Sequence, residues 1–173
     1  MSDSHQTSSQ ESIVGRNIMA NVTVQRTINA SVEKVWESWD DFGGIYKFNP
    51  NLKHSRLLEG SQATGQGAKR QCDISDGKNW IREEVLEYIP HNRMKINIYE
   101  GTMPLKQAIA TLRFKSINAN QTEVTMTMEF EPKMGLLGKL MLPMMKPKFK
   151  GMLGALLEGN DKFVTQGQLI NAA

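Results

Sequence analysis

Cysteine is almost absent. Cys72 stands alone in 173 residues, so no intrachain disulfide can form. The three histidines, His5, His54 and His91, show no metal-ligand spacing with it or with each other, and no metal or cofactor is expected. No glycine-rich phosphate loop is present. No apolar run approaches the ~20 residues that cross a bilayer as a helix. Residues 1–15 are polar and lack a basic start followed by an apolar core, so they do not read as a secretory signal. A cytoplasmic protein is expected, with a flexible leader over 1–17 and one domain over 18–173.

One further absence is local. Residues 132–157 contain no acid but five lysines: Lys133, Lys139, Lys146, Lys148 and Lys150. The other 16 basic and 18 acidic side chains leave the rest of the chain at −2, so the formal charge of +3 comes from one stretch. That stretch holds a single aromatic, Phe149, whereas a nucleic-acid face interleaves cations with stacking rings; no nucleic-acid partner is expected. Methionine is abundant instead. Seven of 11 lie close together: Met126, Met128, Met134, Met141, Met144, Met145 and Met152.

Hydrophobic periodicity places the elements. Residues 21–29 alternate as a strand. Ser31 then caps a helix whose stripe is Val32, Val35, Trp36 and Trp39. Gly43-Gly44 is read as its break, before a short helical turn over 45–48. Six strand-like segments follow, at 53–59, 67–75, 80–88, 94–100, 106–117 and 122–131, joined by short turn signals that imply antiparallel neighbours. The last strands alternate apolar and polar residues, so one sheet face needs a cover. Two helical segments, 135–146 and 147–167, supply it, with Pro143 and Pro147 expected to kink or divide them.

The order and spacing of several short motifs resemble the START and birch-pollen-allergen-like (SRPBCC) superfamily. The residues are Val24 to Ser31 running into Val35-Trp36, Asp41-Phe42-Gly43, Phe48-Asn49-Pro50, Gly67 with Arg70, Arg82-Glu83-Glu84-Val85, Glu100-Gly101 with Pro104, and Glu129-Phe130-Glu131-Pro132. The chain is most similar to the bacterial polyketide cyclase/dehydrase and lipid-transport branch. This resemblance implies an α+β helix-grip fold: a curved seven-stranded antiparallel sheet around a long C-terminal helix, with two short helices after the first strand and an apolar cavity inside. Plant abscisic-acid receptors share the superfamily. Their gate and latch motifs are replaced here by Ser75-Asp76-Gly77-Lys78 and Thr102-Met103-Pro104-Leu105, so a hormone-receptor role is not implied.

Parity on the strands nominates a cavity wall of Cys72, Ile74, Ile81, Met94, Ile96, Ile98, Ala108, Ala110, Leu112, Met126, Met128 and Phe130, with Phe149, Leu153 and Leu156 from the helix. Ordinary core packing explains each singly. Together they suggest unfilled space, because Ala108 and Ala110 are small and thioethers adapt to irregular ligands. Lys53, Arg70, Glu83 and Asn160 are candidates to orient a ligand. Glu83 shares parity with Ile81 and Val85, but a bulge would leave it solvated. Arg70 shares parity with Cys72, but its long stem also suits the rim. The basic, methionine-rich helix reads either as core with a solvated lysine face or as a lid that rests weakly on an anionic membrane.

The expected function is binding or carriage of a small hydrophobic ligand, lipid-like or polyketide-like. One alternative is a polyketide aromatase/cyclase or dehydratase, with Glu83 as the single catalytic acid or base. Another is a membrane-surface accessory protein. Oligomeric state is not legible.

Overall fold

The computed structural model describes residues 19–133 and 135–171. The expected leader and Met134 lie outside the described residues. After β1 (Ala20–Ile28), Ser31 caps α1 (Val32–Asp40), its Oγ accepting from the Lys34 N–H at 3.3 Å. Val35, Trp36 and Trp39 form the buried stripe of α1. A 3-10 helix, Phe42–Lys47, comes next and contains Gly43-Gly44. The two glycines therefore do not break a helix. They permit close packing: a Cβ at Gly44 would overlap the Asp41 carboxylate, and one at Gly43 would press on Leu57.

Six further strands are β2 (Leu52–Leu57), β3 (Lys69–Ile74), β4 (Trp80–Ile89), β5 (Arg93–Gly101), β6 (Leu105–Asn118) and β7 (Gln121–Pro132). They form one antiparallel sheet in the order β1-β7-β6-β5-β4-β3-β2. Consecutive strands β2 to β7 pair in sequence order, β3 to β7 through short turns and β2 to β3 through the longer loop 58–68, whereas β1 crosses to β7, so α1 and the 3-10 helix span one end of the curled half-barrel. The helix-grip architecture is thus an α+β half-barrel around a C-terminal helix.

That cover consists of α2 (Gly135–Leu140) and α3 (Leu142–Gln166). The division falls at Met141, not at either proline. Pro143 lies in the first turn of α3, where an N–H would be unpaired anyway. Pro147 is inside the helix and exposed, so its ring meets solvent rather than a neighbouring element. Phe149, Leu153, Leu156 and Asn160 face inward. Asn160 is fully buried and satisfied at both ends, accepting from Trp39 Nε1 at 3.0 Å and donating to Ser38 Oγ at 2.8 Å. Gly167, at φ 69°, closes the helix in the left-handed conformation, its N–H bonding the Phe163 carbonyl. Beyond it, Ile170 and Asn171 bond the backbone around Lys47, Tyr46 and Leu52 and tie the tail to the 3-10 helix. Among the described residues, no helix is long and apolar enough to cross a membrane.

Candidate ligand cavity

The inner sheet face and α3 do not fill the space between them. A cavity of about 100 Å³ remains. Arg70, Cys72 and Ile74 on β3 line it, with Ile81 and Glu83 on β4 and Ile96 and Ile98 on β5. Ala110 from β6 and Met126 and Met128 from β7 continue the wall, and Phe149, Leu153 and Leu156 of α3 close it. All of these were legible from strand and helix parity. Eight others were not nominated: Trp39, Ile45, Asn49, Asn51, Leu52, Met103, Leu105 and Met152. Trp39 already belonged to the α1 stripe, so only the direction in which that stripe faces was missing. Met103 lies in the β5–β6 turn, where no periodicity assigns a side.

Five nominated wall or helix residues lie elsewhere in the core. Met94, Ala108, Leu112, Phe130 and Asn160 are buried but do not border the cavity. Ala108 sits opposite Phe130, whose ring meets Phe149 edge-on at 4.7 Å and fills the room the alanine would leave. Asn160 is spent on α1. Lys53 is a correction of a different kind: its side chain is exposed. Lys53 follows Leu52, which faces the cavity, so ordinary alternation turns it outward, and the register slip between Leu52 and His54 leaves His54 outside as well.

Arg70 and Glu83 are cross-strand partners on β3 and β4, and both are buried. Arg70 Nε donates to Glu83 Oε2 at 2.6 Å, and its Nη1 donates to the Phe42 carbonyl at 2.8 Å. The guanidinium also stacks over the Phe42 ring, 4.0 Å from its centre. Burial opposes the arginine's charge most strongly, but the adjoining Glu83 and Cys72 together outweigh it, and the net shift is upward. Arg70 therefore does not lie at the rim. The register of β4 is irregular between Arg82 and Glu83, yet Glu83 remains inside because its charge is matched there. Glu83 Oε1 has no hydrogen-bond partner among the described residues, so a mostly apolar wall that also carries Asn49 and Asn51 retains an unused acceptor.

Cys72 is 1% exposed, with Sγ 3.4 Å from Glu83 Oε2. Burial, and then the Glu83 carboxylate, pushes its thiol well above the usual range. It is a neutral donor, not a nucleophile. An aromatic disulfide reagent at pH 8 is expected to modify the folded protein at least about a hundredfold more slowly than the urea-unfolded chain. Comparable rates would show that the reagent reaches the thiol as a thiolate. Among the described residues, no group of three or more acidic, histidine or cysteine side chains could hold a metal ion.

The model of the family described as polyketide cyclase / dehydrase and lipid transport matches residues 19–161. The chain belongs to this family. No curated protein matches at a significant level. Among solved structures, this family member is similar to a START superfamily protein from Mycobacterium smegmatis, at 16% identity and TM-score 0.72, covering 86% of this chain and 99% of that one. It is also similar to the protein XoxI from Bacillus cereus, at 21% identity and TM-score 0.68, over 86% and 97% of the two chains. The Zhui aromatase/cyclase from Streptomyces sp. R1128 aligns at 17% identity and TM-score 0.68, over 86% and 98%. These likenesses establish a shared fold. Membership of the polyketide cyclase/dehydrase and lipid-transport family supports a ligand-binding or cyclase role.

Proposed function

We propose that the protein binds and carries a small, mostly apolar molecule, lipid-like or polyketide-like, that bears a hydroxyl or phenol. The supporting observation is the pairing of an apolar wall with one buried ion pair that keeps an unused acceptor, Glu83 Oε1. Apolar burial supplies affinity in such sites, and a few placed polar groups set orientation. A hydroxyl donating to Oε1 would satisfy that oxygen without separating Arg70 from Glu83. Carriage is favoured over turnover because Glu83 is the single acid on the cavity wall among the described residues, and Arg70 already engages it. A base held in an ion pair must give up that partner's stabilisation to take a proton.

The volume has a consequence. Pockets for drug-sized ligands run to about 300–1,000 Å³, so a chain of lipid size enters only as the wall yields. Met152 on α3 and Met103 on the β5–β6 turn, beside Phe149, form the adaptable wall, since thioethers repack at low cost.

Ala110→Leu tests this reading. The added carbons occupy the cavity, so urea midpoints should hold or rise. Binding of a fluorescent apolar phenol should weaken by at least about tenfold. Native mass spectrometry of the wild-type protein should detect a retained apolar molecule that the variant lacks. Unchanged probe binding in a folded Ala110→Leu protein would remove the cavity as the site.

A further inference from the structure

The segment that closes the half-barrel has one face without a protein partner. Leu136 is 81% exposed, Leu140 76% and Met144 65%, with Leu137 and Met141 also open. Monomeric proteins expose scattered leucines, but a contiguous set marks a contact surface. Its surroundings are basic. Lys133, Lys146, Lys148 and Lys150 are all exposed, and none forms an ion pair among the described residues. No acid lies anywhere in residues 132–157. On α3, Met144 and Lys148 are one helical turn apart, so the apolar tip runs into the basic flank on one side of the helix.

We infer that α2 and the first two turns of α3 dock on an anionic lipid surface, with the leucines entering the headgroup boundary and the lysines meeting the lipid charge. Two features select a membrane over a protein partner. The apolar set is flanked by exposed lysines, and lysine is depleted in protein interfaces. The charge is of one sign, carried on flexible lysines rather than on paired ions, which suits a diffuse negative plane.

The position gives docking a use. The Lys133 N–H bonds the Pro104 carbonyl at 2.9 Å, in the turn whose Met103 lines the cavity. Gly138 lets α2 lie close to this junction, because a Cβ there would overlap the Lys133 carbonyl. On the other side, Phe149 and Met152 belong to the same helix that carries the lysines. A membrane held by this face therefore abuts the adaptable wall of the cavity. The docking surface stands on exposed residues alone, and it can be tested whether or not the cavity takes a ligand.

The test is co-sedimentation of the full chain with vesicles of phosphatidylcholine, alone or with one quarter phosphatidylglycerol. Wild-type protein should bind the anionic vesicles at low salt, leave the neutral ones, and be released as salt rises. Each lysine near the surface contributes about fivefold, so neutralising Lys146, Lys148 and Lys150 together to serine should weaken binding by roughly a hundredfold. Leu136→Glu with Leu140→Glu should abolish it while circular dichroism and the urea midpoint stay unchanged, because both side chains already face solvent. Binding that ignores lipid charge, or that survives both variants, would overturn the inference. So would self-association in solution that the leucine variant abolishes with no vesicle binding by the wild type, since the face would then belong to a second copy of the chain.

Discussion

Arg70→Met is expected to destabilise the protein by about 3–5 kcal/mol, because it leaves the Glu83 charge buried without its partner. Both members are almost wholly removed from water. Their mutual attraction, the Phe42 carbonyl and the Phe42 ring together offset the desolvation of the guanidinium. Removing one member keeps the cost and loses the return. The melting temperature should fall by roughly 10 °C or more for a chain of this size. The double variant Arg70→Met with Glu83→Leu removes both charges, and apolar substitutes for a buried pair are often neutral. It should therefore regain most of the loss, giving a coupling energy of about 3 kcal/mol in a double-mutant cycle. Urea unfolding of the four proteins measures this. The sign with pH is fixed as well. Arg70's affinity for its proton is raised by folding, so its contribution is complete below the ordinary arginine range and is lost only above it. Titration of Arg70 should therefore add no slope between pH 6 and 9. A loss below about 1 kcal/mol in Arg70→Met would mean that water reaches the pair, as it does surface pairs.

This pair also shows where a sequence stops being informative. Alternation allowed Arg70 and Glu83 to face the cavity but left the rim open for one and a solvating bulge for the other, and the structure buries both. What alternation does not contain is the partner: two buried charges thirteen positions apart are each costly alone and tolerable together, and the match depends on strand register. Lys53 failed for a different reason. No parity argument nominated it, and as the neighbour of the inward Leu52 it lies outside by ordinary alternation. Ala108 and Ala110 look identical in the pattern, yet only Ala110 faces open space. The difference is Phe130 across from Ala108, which is a packing fact rather than a local one. The helix divides at Met141 rather than at a proline, because Pro143 falls in the first turn of α3, where no N–H is needed, and α3 runs on through Pro147 to the buried Phe149, Leu153 and Leu156. The antiparallel pairing of successive strands from β3 to β7, by contrast, was legible, because short turns join them, whereas no local pattern pairs β1 with β7.

Three glycines of α3 should respond to the same substitution with opposite signs. In the interior of a helix, glycine to alanine gains about 0.5–1 kcal/mol. Gly151 and Gly154 meet nothing where a Cβ would be, so Gly151→Ala and Gly154→Ala should each stabilise by that amount. Gly159 differs. A Cβ there would overlap the Phe48 carbonyl oxygen and crowd its carbon, and both are backbone that cannot swing aside. The helix would have to lift from the 3-10 segment. Lifting would strain the neighbouring Asn160 bonds to Trp39 and Ser38 and separate the rings of Phe48 and Phe163, now 5.5 Å apart. Overpacking of this kind costs about 1–3 kcal/mol and more when backbone must move. Losing either Asn160 bond adds about 1 kcal/mol or more. Gly159→Ala is therefore expected to cost about 3 kcal/mol despite its better helix propensity, and Gly159→Val should not fold. Urea midpoints of the three alanine variants, measured side by side, decide the matter. If Gly159→Ala is as benign as the other two, α3 does not rest on the 3-10 helix. The cavity would then lack the fixed end against which its adaptable half, Phe149 to Met152, is proposed to move.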